Sequence, residues 1–194
     1  MTTTETFEEH LLRASAGILE RLPDAVRSEV YVLALNVWRV DADDRRPYVD
    51  IGHNTESRYR AAADADPDEA RWNYAYWILE GFDRLGNVPE DPGGGALWEE
   101  EAGRLGLWYD GPFDLDRRLG DPAVAARADG LRLHFQETVI GLARGLHESG
   151  EVVRIFGRPL PVVVFDMDSP GWEEEATEAA NPPEVIGEFL AYYG

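Results

Sequence analysis

The chain has 194 residues, of which 38 are Asp or Glu, and its 18 basic residues are all Arg, so its formal net charge at pH 7 is −20. A chain this acidic repels nucleic acid and anionic membranes and favours a protein partner with a basic surface. The lack of Lys excludes a Schiff-base or phosphate-loop lysine, and the lack of Cys excludes disulfides and thiolate metal ligands.

Hydrophobic residues make up 44% of the chain and aromatic residues 11%, which is typical of a folded globule rather than a disordered acidic tail. The length fits one domain over residues 1–194. The first residues lack the basic and apolar regions of a secretory signal, and no apolar run is long enough to span a bilayer. We therefore expect a cytoplasmic protein that does not enter membranes and binds no cofactor. The sequence does not determine its oligomeric state.

The first third of the chain predicts a helix followed by a β-hairpin. Residues 6–9 have the pattern of a capping box, and apolar residues then recur at helical spacing until Pro23. Residues 29–41 are apolar on both faces, as in a central strand, and residues 47–53 form a second strand after a charged turn. A short exposed helix is expected over residues 57–65.

The middle of the chain, around residues 86–121, predicts a loop-rich region. Before it, the aromatic residues of 71–79 alternate as in a strand, although residues 66–69 resemble a helix start, so an irregular or extended segment is expected. The three glycines at 93–95 predict a flexible turn, with a short acidic helix over residues 96–105.

The last third predicts the longest helix, which begins at Asp121 and runs to Gly150. Residues 152–156 predict a short strand, residues 160–165 a second strand, and a final helix begins near Pro183. This order of elements is typical of an α+β fold with a mixed or antiparallel central sheet flanked by helices.

Three stretches together resemble the bacterial domain-of-unknown-function 4303 family. They are the strand over 31–40 with a second strand running into Asn54-Thr55-Glu56, the segment Arg71-Trp72-Asn73-Tyr74-Ala75-Tyr76-Trp77, and residues 162–168 followed by Asn181-Pro182-Pro183-Glu184-Val185 and a closing helix. The resemblance implies a single α+β domain of bacterial origin with no established chemistry. Small acidic bacterial domains of this kind often accompany toxins as immunity proteins, so the resemblance implies a role of that type.

An apolar strand that ends in Asp166-Met167-Asp168 matches the way in which haloacid-dehalogenase-type phosphatases present a nucleophile and two magnesium ligands. Pro170 stands where that pattern needs Thr or Val, and no Lys is available. The competing interpretation is a buried strand whose acids cap the following loop. Asp166 and Asp168 remain a weak alternative metal site.

The histidines do not form a recognisable catalytic or metal pattern. His134 and Glu137 lie three residues apart on a predicted helix, but no second pair completes a metal site, so a hydrogen-bonded structural histidine is favoured. His53 lies at a strand end, where a general base is conceivable, yet no triad pattern surrounds it.

Two sets of alternating aspartates suggest solvated acidic loops rather than ion sites. The first set lacks the Gly and Glu of a calcium loop. The two sets are Asp64, Asp66 and Asp68, and Asp110, Asp114 and Asp116.

Aromatic and acidic residues supply the candidates for partner binding. The aromatic cluster near residue 75 has two interpretations, a core segment or an exposed anchor patch rimmed by acids. The acidic runs at 99–101 and 173–178 are either solvated helix ends or surfaces complementary to a basic partner. The predicted partner-binding residues are Trp72, Tyr74, Tyr76, Trp77, Asn54, Glu56, Glu99, Glu100 and Glu101.

The favoured hypothesis is a non-enzymatic protein-binding module, such as a toxin-immunity-type protein that covers a basic surface. The alternative is a metal-dependent hydrolase that uses Asp166 and Asp168, or an enzyme with His53 as a base. A third hypothesis is a structural or regulatory subunit that self-associates through its aromatic segment.

Overall fold

Four strands form one sheet in the computed structural model, which describes residues 5–62, 66–78 and 83–194. The strands are β1 (Val30–Arg39), β2 (Pro47–Thr55), β3 (Arg84–Gly86) and β4 (Val162–Asp166). They lie in the order β3-β2-β1-β4; β1 is antiparallel to β2, β2 is antiparallel to β3, and β1 is parallel to β4. The predicted hairpin and α+β fold are confirmed, the sheet is mixed, and no sequence pattern predicts β3.

The part of the chain that the structure describes contains ten α-helices and three 3₁₀ turns. The helices are α1 (Phe7–Glu20), α2 (Asp24–Arg27), α3 (Glu56–Ala61), α4 (Pro67–Trp72), α5 (Pro92–Arg104), α6 (Leu115–Gly120), α7 (Pro122–Glu148), α8 (Glu151–Phe156), α9 (Glu173–Ala180) and α10 (Gly187–Tyr193). The 3₁₀ turns are Val40–Ala42, Tyr74–Tyr76 and Pro183–Val185. Even α7, the longest of the described helices with 27 residues, has no stretch apolar enough to cross a membrane.

Both predicted helix starts that rest on side-chain caps are confirmed. Thr6 and Glu9 form a reciprocal capping box at the start of α1. Asp121 accepts hydrogen bonds from the backbone of Ala123 and Val124 at the start of α7. These caps satisfy backbone donors that have no partner inside the helix.

One face of the sheet is covered by long helices, and we call it the helix-covered face. Leu35 of β1 and Val164 of β4 lie on this face, against residues of α1, α5, α7, α8 and α9. At its centre the ring of Trp98 lies 5.3 Å from Phe7 and 5.4 Å from Phe135, measured between ring centroids. All three rings are buried, so this cluster contributes much of the apolar burial in the domain.

The opposite face is covered by short elements and aromatic side chains, and we call it the aromatic face. Ala34 of β1 and Phe165 of β4 lie on this face, against Trp72, Trp77 and Phe189. The rings of Trp72 and Phe189 meet edge to face at 5.9 Å. No long helix crosses this side among the described residues; its cover comes from α4, the 3₁₀ turn at Tyr74–Tyr76 and α10.

Strand β4 lies at an edge of the sheet, and α9 blocks that edge. Thr177 accepts a hydrogen bond from the backbone N–H of Val164 at 3.0 Å, and Asn181 accepts one from Val162 at 2.8 Å. Asn181 also donates its amide to the carbonyl of Val162. These side chains occupy backbone groups that would otherwise pair with another strand.

The prediction of a strand over residues 152–156 is wrong, because this segment is helix α8. Val152, Ile155 and Phe156 are buried at helical spacing, while β-branched Val153 is half exposed. Gly150 and Gly157 flank the helix with φ of 77° and 72°, in the left-handed region that glycine favours.

The prediction of a flexible turn at residues 93–95 is also wrong, because α5 begins at Pro92. Asp91 caps this helix through the N–H of Gly94 and also accepts from the N–H of Gly86 and from His10. A Cβ at Gly94 would collide with the Asp91 carboxylate, so glycine is required there. The region of 86–121 thus contains α5 and α6 besides its loops.

The extended segment predicted over 71–79 is mostly helical where it is described. Asp66 caps α4, so the helix start seen in the sequence is real. A 3₁₀ turn follows, and only Ile78 pairs with a strand, through an isolated bridge to His53. Of the helix predicted over 57–65, α3 ends at Ala61; residues 63–65 and Leu79 lie outside the described part of the chain.

Candidate functional site

A cleft of about 520 Å³ lies on the aromatic face, near the carboxyl ends of β1 and β4. We call it the aromatic cleft. Two β1 residues of the same face line it, and the residue that follows β4 lines it as well. The remaining lining comes from α3 and the 3₁₀ turn with the residues after it. The lining residues are Asn36, Trp38, Arg58, Tyr74, Ala75, Trp77, Ile78 and Met167.

Asn36 is the most unusual residue of the aromatic cleft. It lies in the middle of β1, between Asp50 of β2 and Phe165 of β4, and only 1% of it is exposed. Its Oδ1 accepts no hydrogen bond from any described residue. Because a buried polar atom without a partner is costly, native proteins retain few of them, and each one calls for an explanation.

Aromatic side chains form the walls of the cleft and are fixed by contacts behind them. Tyr74 stacks on Phe165 with ring centroids 4.6 Å apart and planes 12° apart. The indole N–H of Trp77 donates to the carbonyl of Arg71 at 3.0 Å, and Tyr31 donates to the same carbonyl at 2.7 Å. The walls are therefore held in place without a ligand.

Arg58 supplies the only charge among the described residues that line the cleft. Its Nε donates to the carbonyl of Tyr76 at 2.7 Å, which holds the side chain beside the 3₁₀ turn. Its guanidinium thus places a positive charge at the cleft.

Asp50 lies beside the cleft on the neighbouring strand, as the register partner of Asn36. Its side chain is 14% exposed and lies 3.5 Å from Arg84. Burial raises the pKa of Asp50 to about 6, and the charge of Arg84 offsets part of that increase. Ionisation of the Asp50 carboxyl therefore destabilises the folded state.

The predicted aromatic cluster is divided between core and cleft. Trp72 and Trp77 are buried, which supports the core interpretation for both, although one edge of Trp77 reaches the cleft. Tyr74 and Tyr76 are half-buried; Tyr74 lines the cleft, and Tyr76 contributes the carbonyl that binds Arg58.

Asn54 and Glu56 make contacts within the chain. Asn54 is fully buried, and its amide donates to the hydroxyl of Tyr31 at 2.9 Å. Glu56 accepts from Arg71 at 3.3 Å, and Arg71 lies over the ring of Tyr31 at 4.4 Å. The side chain of Asn54 is thus committed to the interior, and its predicted contact with a partner stays a prediction.

Only two of the three glutamates in the acidic run of α5 are exposed. Glu99 and Glu100 are exposed, whereas Glu101 contacts Nε2 of His134 at 2.6 Å. The His134 ring also stacks on Trp98 at 5.8 Å, so His134 is the hydrogen-bonded structural histidine that was favoured, and its acidic partner is Glu101 rather than Glu137.

Asp166 is committed to a buried ion pair. Arg39 donates to both of its carboxylate oxygens, at 2.9 and 2.7 Å, and Gln136 donates at 2.7 Å. Burial raises the pKa of Asp166, but the hydrogen bonds and charge of Arg39 outweigh burial, so the pKa is lowered overall. Arg39 also contacts Asp168 at 3.0 Å and pairs with Asp44 at 3.2 Å. This arrangement ties the ends of β1 and β4 together.

The other described candidate residues are buried or cap helices. His53 is 4% exposed, and burial followed by the charge of Arg58 lowers its pKa to about 4. Asp66 and Asp114 are helix caps, and Asp64 lies outside the described residues. Within the described ranges, no three His, Cys, Asp or Glu side chains are placed to hold one metal ion.

Sequence reasoning missed four residues of the aromatic cleft: Asn36, Trp38, Arg58 and Met167. A single polar residue in the middle of an otherwise apolar strand was the available signal for Asn36. The other three come from distant segments and are brought together only by the fold.

The chain is thus a single α+β domain built on a mixed four-stranded sheet, with an open cleft on its aromatic face. Comparisons with protein-family models, with curated proteins and with solved structures found no match. The resemblance to the domain-of-unknown-function 4303 family therefore stays a prediction.

Proposed function

We propose that this protein is a non-enzymatic binding module for a protein with a basic surface, in the manner of a toxin-immunity protein. The observation that carries the proposal is the excess of exposed negative charge, since the formal net charge is −20 and many carboxylates lie outward on helix faces. Several arginines are placed inward against acids and rings, whereas most of the others are exposed.

Three arginines illustrate the inward placement. Arg39 and Arg45 are buried and bound by acids of the chain, and the guanidinium of Arg45 also lies 4.8 Å from the centre of the Tyr109 ring. Arg71 lies over the rings of Tyr31 and Trp72. These positive charges are held by internal contacts and offer little to an approaching molecule.

Exposed carboxylates illustrate the outward placement. Glu100 of α5 and Glu174, Glu175 and Glu178 of α9 are exposed, and they form no ion pair within the described part of the chain. A basic partner would meet these groups before it made any close contact. Such complementarity mainly raises the association rate and selects the partner.

The aromatic cleft gives the proposed partner a place to be held after the encounter. Interfaces draw most of their affinity from a few aromatic or arginine contacts in well-packed pockets, whereas exposed charges contribute mainly to steering. The cleft combines four aromatic or thioether side chains with one guanidinium, which is the composition expected of such an anchor point.

The proposal is tested by capture of a partner and reconstitution with purified components. The immobilised chain is incubated with bacterial lysate at low and at high salt, and captured proteins are identified by mass spectrometry and then produced separately. We expect a basic protein whose association rate falls steeply as salt rises, because the guiding charges are exposed and screened. An association rate that does not change with salt would contradict the electrostatic mode.

Two matched double variants locate the guiding charge. Glu99→Gln/Glu100→Gln on α5 and Glu174→Gln/Glu175→Gln on α9 remove the same amount of negative charge from exposed positions. We expect each pair to slow association relative to the unaltered chain, and the pair that lies nearer the bound partner to slow it more. Sedimentation of the chain alone separates this function from self-association, which would produce a concentration-dependent dimer.

A further inference from the structure

We propose that helix α6 and the mouth of the aromatic cleft form one docking surface for a basic amphipathic segment of the protein partner. The inference rests on the proposed function and deepens it, because it names the part of the partner that is bound. It stands on two outward-facing leucines of α6, on the acidic residues around them and on a chain of ion pairs that connects α6 to the cleft.

Helix α6 presents its apolar residues to solvent instead of to the core. Leu115 is 54% exposed and Leu119 is 72% exposed, and their i, i+4 spacing places them on the same side of the helix. Arg118 is the only residue of α6 that is not exposed. A surface helix ordinarily buries its apolar side and turns its charges to water, so α6 has the reverse orientation.

Polar contacts hold α6 in this orientation. Nε of Arg118 donates to the buried carboxylate of Asp44 at 2.8 Å, and its terminal nitrogen lies 3.7 Å from Asp129 of α7. Arg117 donates to the backbone carbonyl of Asp110 at 3.2 Å. These contacts fix the side of α6 that faces the domain and keep the leucines outward. Exposed apolar side chains that are grouped in this way mark sites of protein–protein interaction.

The charge around the leucines favours a basic partner. Four exposed aspartates lie on α6 or flank it in the sequence, and they are Asp110, Asp114, Asp116 and Asp121. A second copy of this chain would bring the same acids to the contact, and an anionic membrane would be repelled. A segment that carries Lys or Arg beside its apolar residues would instead meet charge of the opposite sign.

A chain of ion pairs places α6 beside the aromatic cleft, at the carboxyl ends of β1 and β4. Asp44, which binds Arg118, lies 3.2 Å from Nε of Arg39. Arg39 also contacts Asp168 at 3.0 Å, and Asp168 directly follows Met167, a residue of the cleft lining. Met167 is 40% exposed, so exposed apolar side chains lie on both sides of these ion pairs. A single segment of a partner can therefore cover the leucines and the mouth of the cleft together.

Arg58 determines which side of the segment faces the cleft. Its guanidinium places a positive charge there, which repels a Lys or Arg of the partner and leaves the aromatic walls to apolar side chains. Basic side chains of the segment would instead meet Asp116 beside the leucines and Asp168, whose side chain is 56% exposed. A segment with apolar residues along one side and basic residues along its margins satisfies both requirements.

The experiment compares two synthetic peptides that contain the same numbers of leucine and lysine residues. In the first, the leucines recur at helical spacing and form one apolar side; in the second, the order is scrambled so that no such side exists. Binding of each fluorescent peptide to the unaltered chain is measured by anisotropy at physiological ionic strength, which screens non-specific charge attraction. We expect the first peptide to bind about tenfold more tightly, because only its apolar side can bury the two leucines. Equal Kd values for the two peptides would overturn the proposal.

Met167 reports whether the bound segment reaches the cleft. The chain has two methionines, Met1 and Met167, so labelling the methionine methyl groups with ¹³C gives one signal from the cleft and one internal reference. We expect the amphipathic peptide to shift the Met167 signal. Binding without that shift would show that α6 and the cleft are not one surface, which would contradict the proposal.

Substitutions at exposed positions assign the preference to α6. Leu115→Gln/Leu119→Gln removes the apolar pair without a change of charge, and Gln has nearly the helix propensity of Leu. The ratio of the two Kd values should fall to about one, with the scrambled peptide unaffected. Val153→Gln is the control, because Val153 is 50% exposed and belongs to α8, which follows α7, whereas α6 precedes it. A preference that persists in the double variant, or that Val153→Gln lowers equally, would overturn the assignment.

The outcome is separable from that of the proposed function. Salt-dependent capture of a basic partner that binds the unaltered chain and the double variant equally well would support the binding function and overturn this docking surface. A preference for the amphipathic peptide that the double variant abolishes, without any captured partner, would support the docking surface and count against the immunity-type function.

Discussion

The two faces of the sheet are covered in different ways. The helix-covered face is enclosed by α1, α5, α7 and α8, and its residues form one continuous cluster. The aromatic face has a smaller cluster, in which Trp72, Trp77 and Phe189 take the place of long helices. Long helices pack over the core of the helix-covered face, whereas the aromatic face ends in a cleft beside Asn36.

The difference between the faces separates stability from binding. A long amphipathic helix such as α7 buries a continuous stripe and leaves no gap over the strands. Short turns that carry large rings cover less area per residue and leave space between the rings. The larger core therefore supports the fold, and the incomplete cover exposes a preformed site.

The largest expected effect tests whether the helix-covered face dominates stability. Phe135→Ala removes a fully buried ring that contacts Trp98 and Phe7, and we expect a loss of about 4 kcal/mol in the free energy of unfolding. Denaturant unfolding followed by circular dichroism measures the change.

Phe165→Ala on the aromatic face is the matched comparison. Phe165 is 2% exposed, but it stacks on half-buried Tyr74 beside the cleft. Tyr74 can move into the space, so we expect a loss of about 2 kcal/mol. Equal losses for the two phenylalanines would remove the proposed difference between the faces.

The next effect concerns the ion pair that joins the ends of β1 and β4. Asp166→Asn keeps the shape but leaves Arg39 with less compensating charge in a buried site, and we expect a loss of about 3 kcal/mol at pH 7. The pKa of Asp166 is lowered in the folded state. Its contribution is therefore complete above the unfolded pKa of about 4 and is lost as pH falls below that value.

Unfolding measured at pH 7 and at successively lower pH below 4 checks this prediction, because the difference between the unaltered chain and Asp166→Asn should shrink with acid. Ser169→Ala, which removes only weaker contacts to the same group, is the control. A constant difference across that range would show that the charge of Asp166 is not the source of the loss.

Sequence reasoning succeeded where local pattern decides the structure and failed where tertiary contacts do. The run of apolar residues in β1 and the caps at Thr6 and Asp121 are local, so the strand and both helix starts were predictable. Helix α8 was not predictable, because its β-branched residues favour a strand. Only its burial on the helix-covered face shows that the apolar residues follow a helical spacing. The cleft joins segments around residues 36, 58, 75 and 167, which no local pattern relates.

A smaller effect of opposite sign is expected at Asp50, beside the cleft. Its pKa is raised to about 6 because burial disfavours the charge, so ionisation of Asp50 costs stability above that pH. We expect Asp50→Asn to raise the free energy of unfolding by about 2 kcal/mol at pH 8. The gain should decline as pH falls through 6 and vanish below about 4, where Asp50 is neutral in the folded and unfolded states alike. A gain that is the same at pH 8 and at pH 4 would contradict the burial of this charge.

The smallest effect tests whether a guanidinium can serve as part of an aromatic core. Arg71 lies 4.4 Å from the centre of the Tyr31 ring and 5.4 Å from that of Trp72, and its side chain is 24% exposed. Arg71→Met keeps the apolar stem and removes the charge, so we expect a loss of about 1 kcal/mol in thermal or denaturant unfolding. Arg84→Met is the control when both variants are compared at pH 5, where the Asp50 carboxyl beside Arg84 is mostly neutral; Arg84 lies over the single ring of Tyr48, its side chain is 49% exposed, and its loss should be about half as large or less. If the two variants lose the same amount, the surroundings of Arg71 add nothing beyond an exposed contact. A larger loss at Arg71 instead means that its contacts with the rings and with Glu56 and Glu188 stabilise the aromatic face.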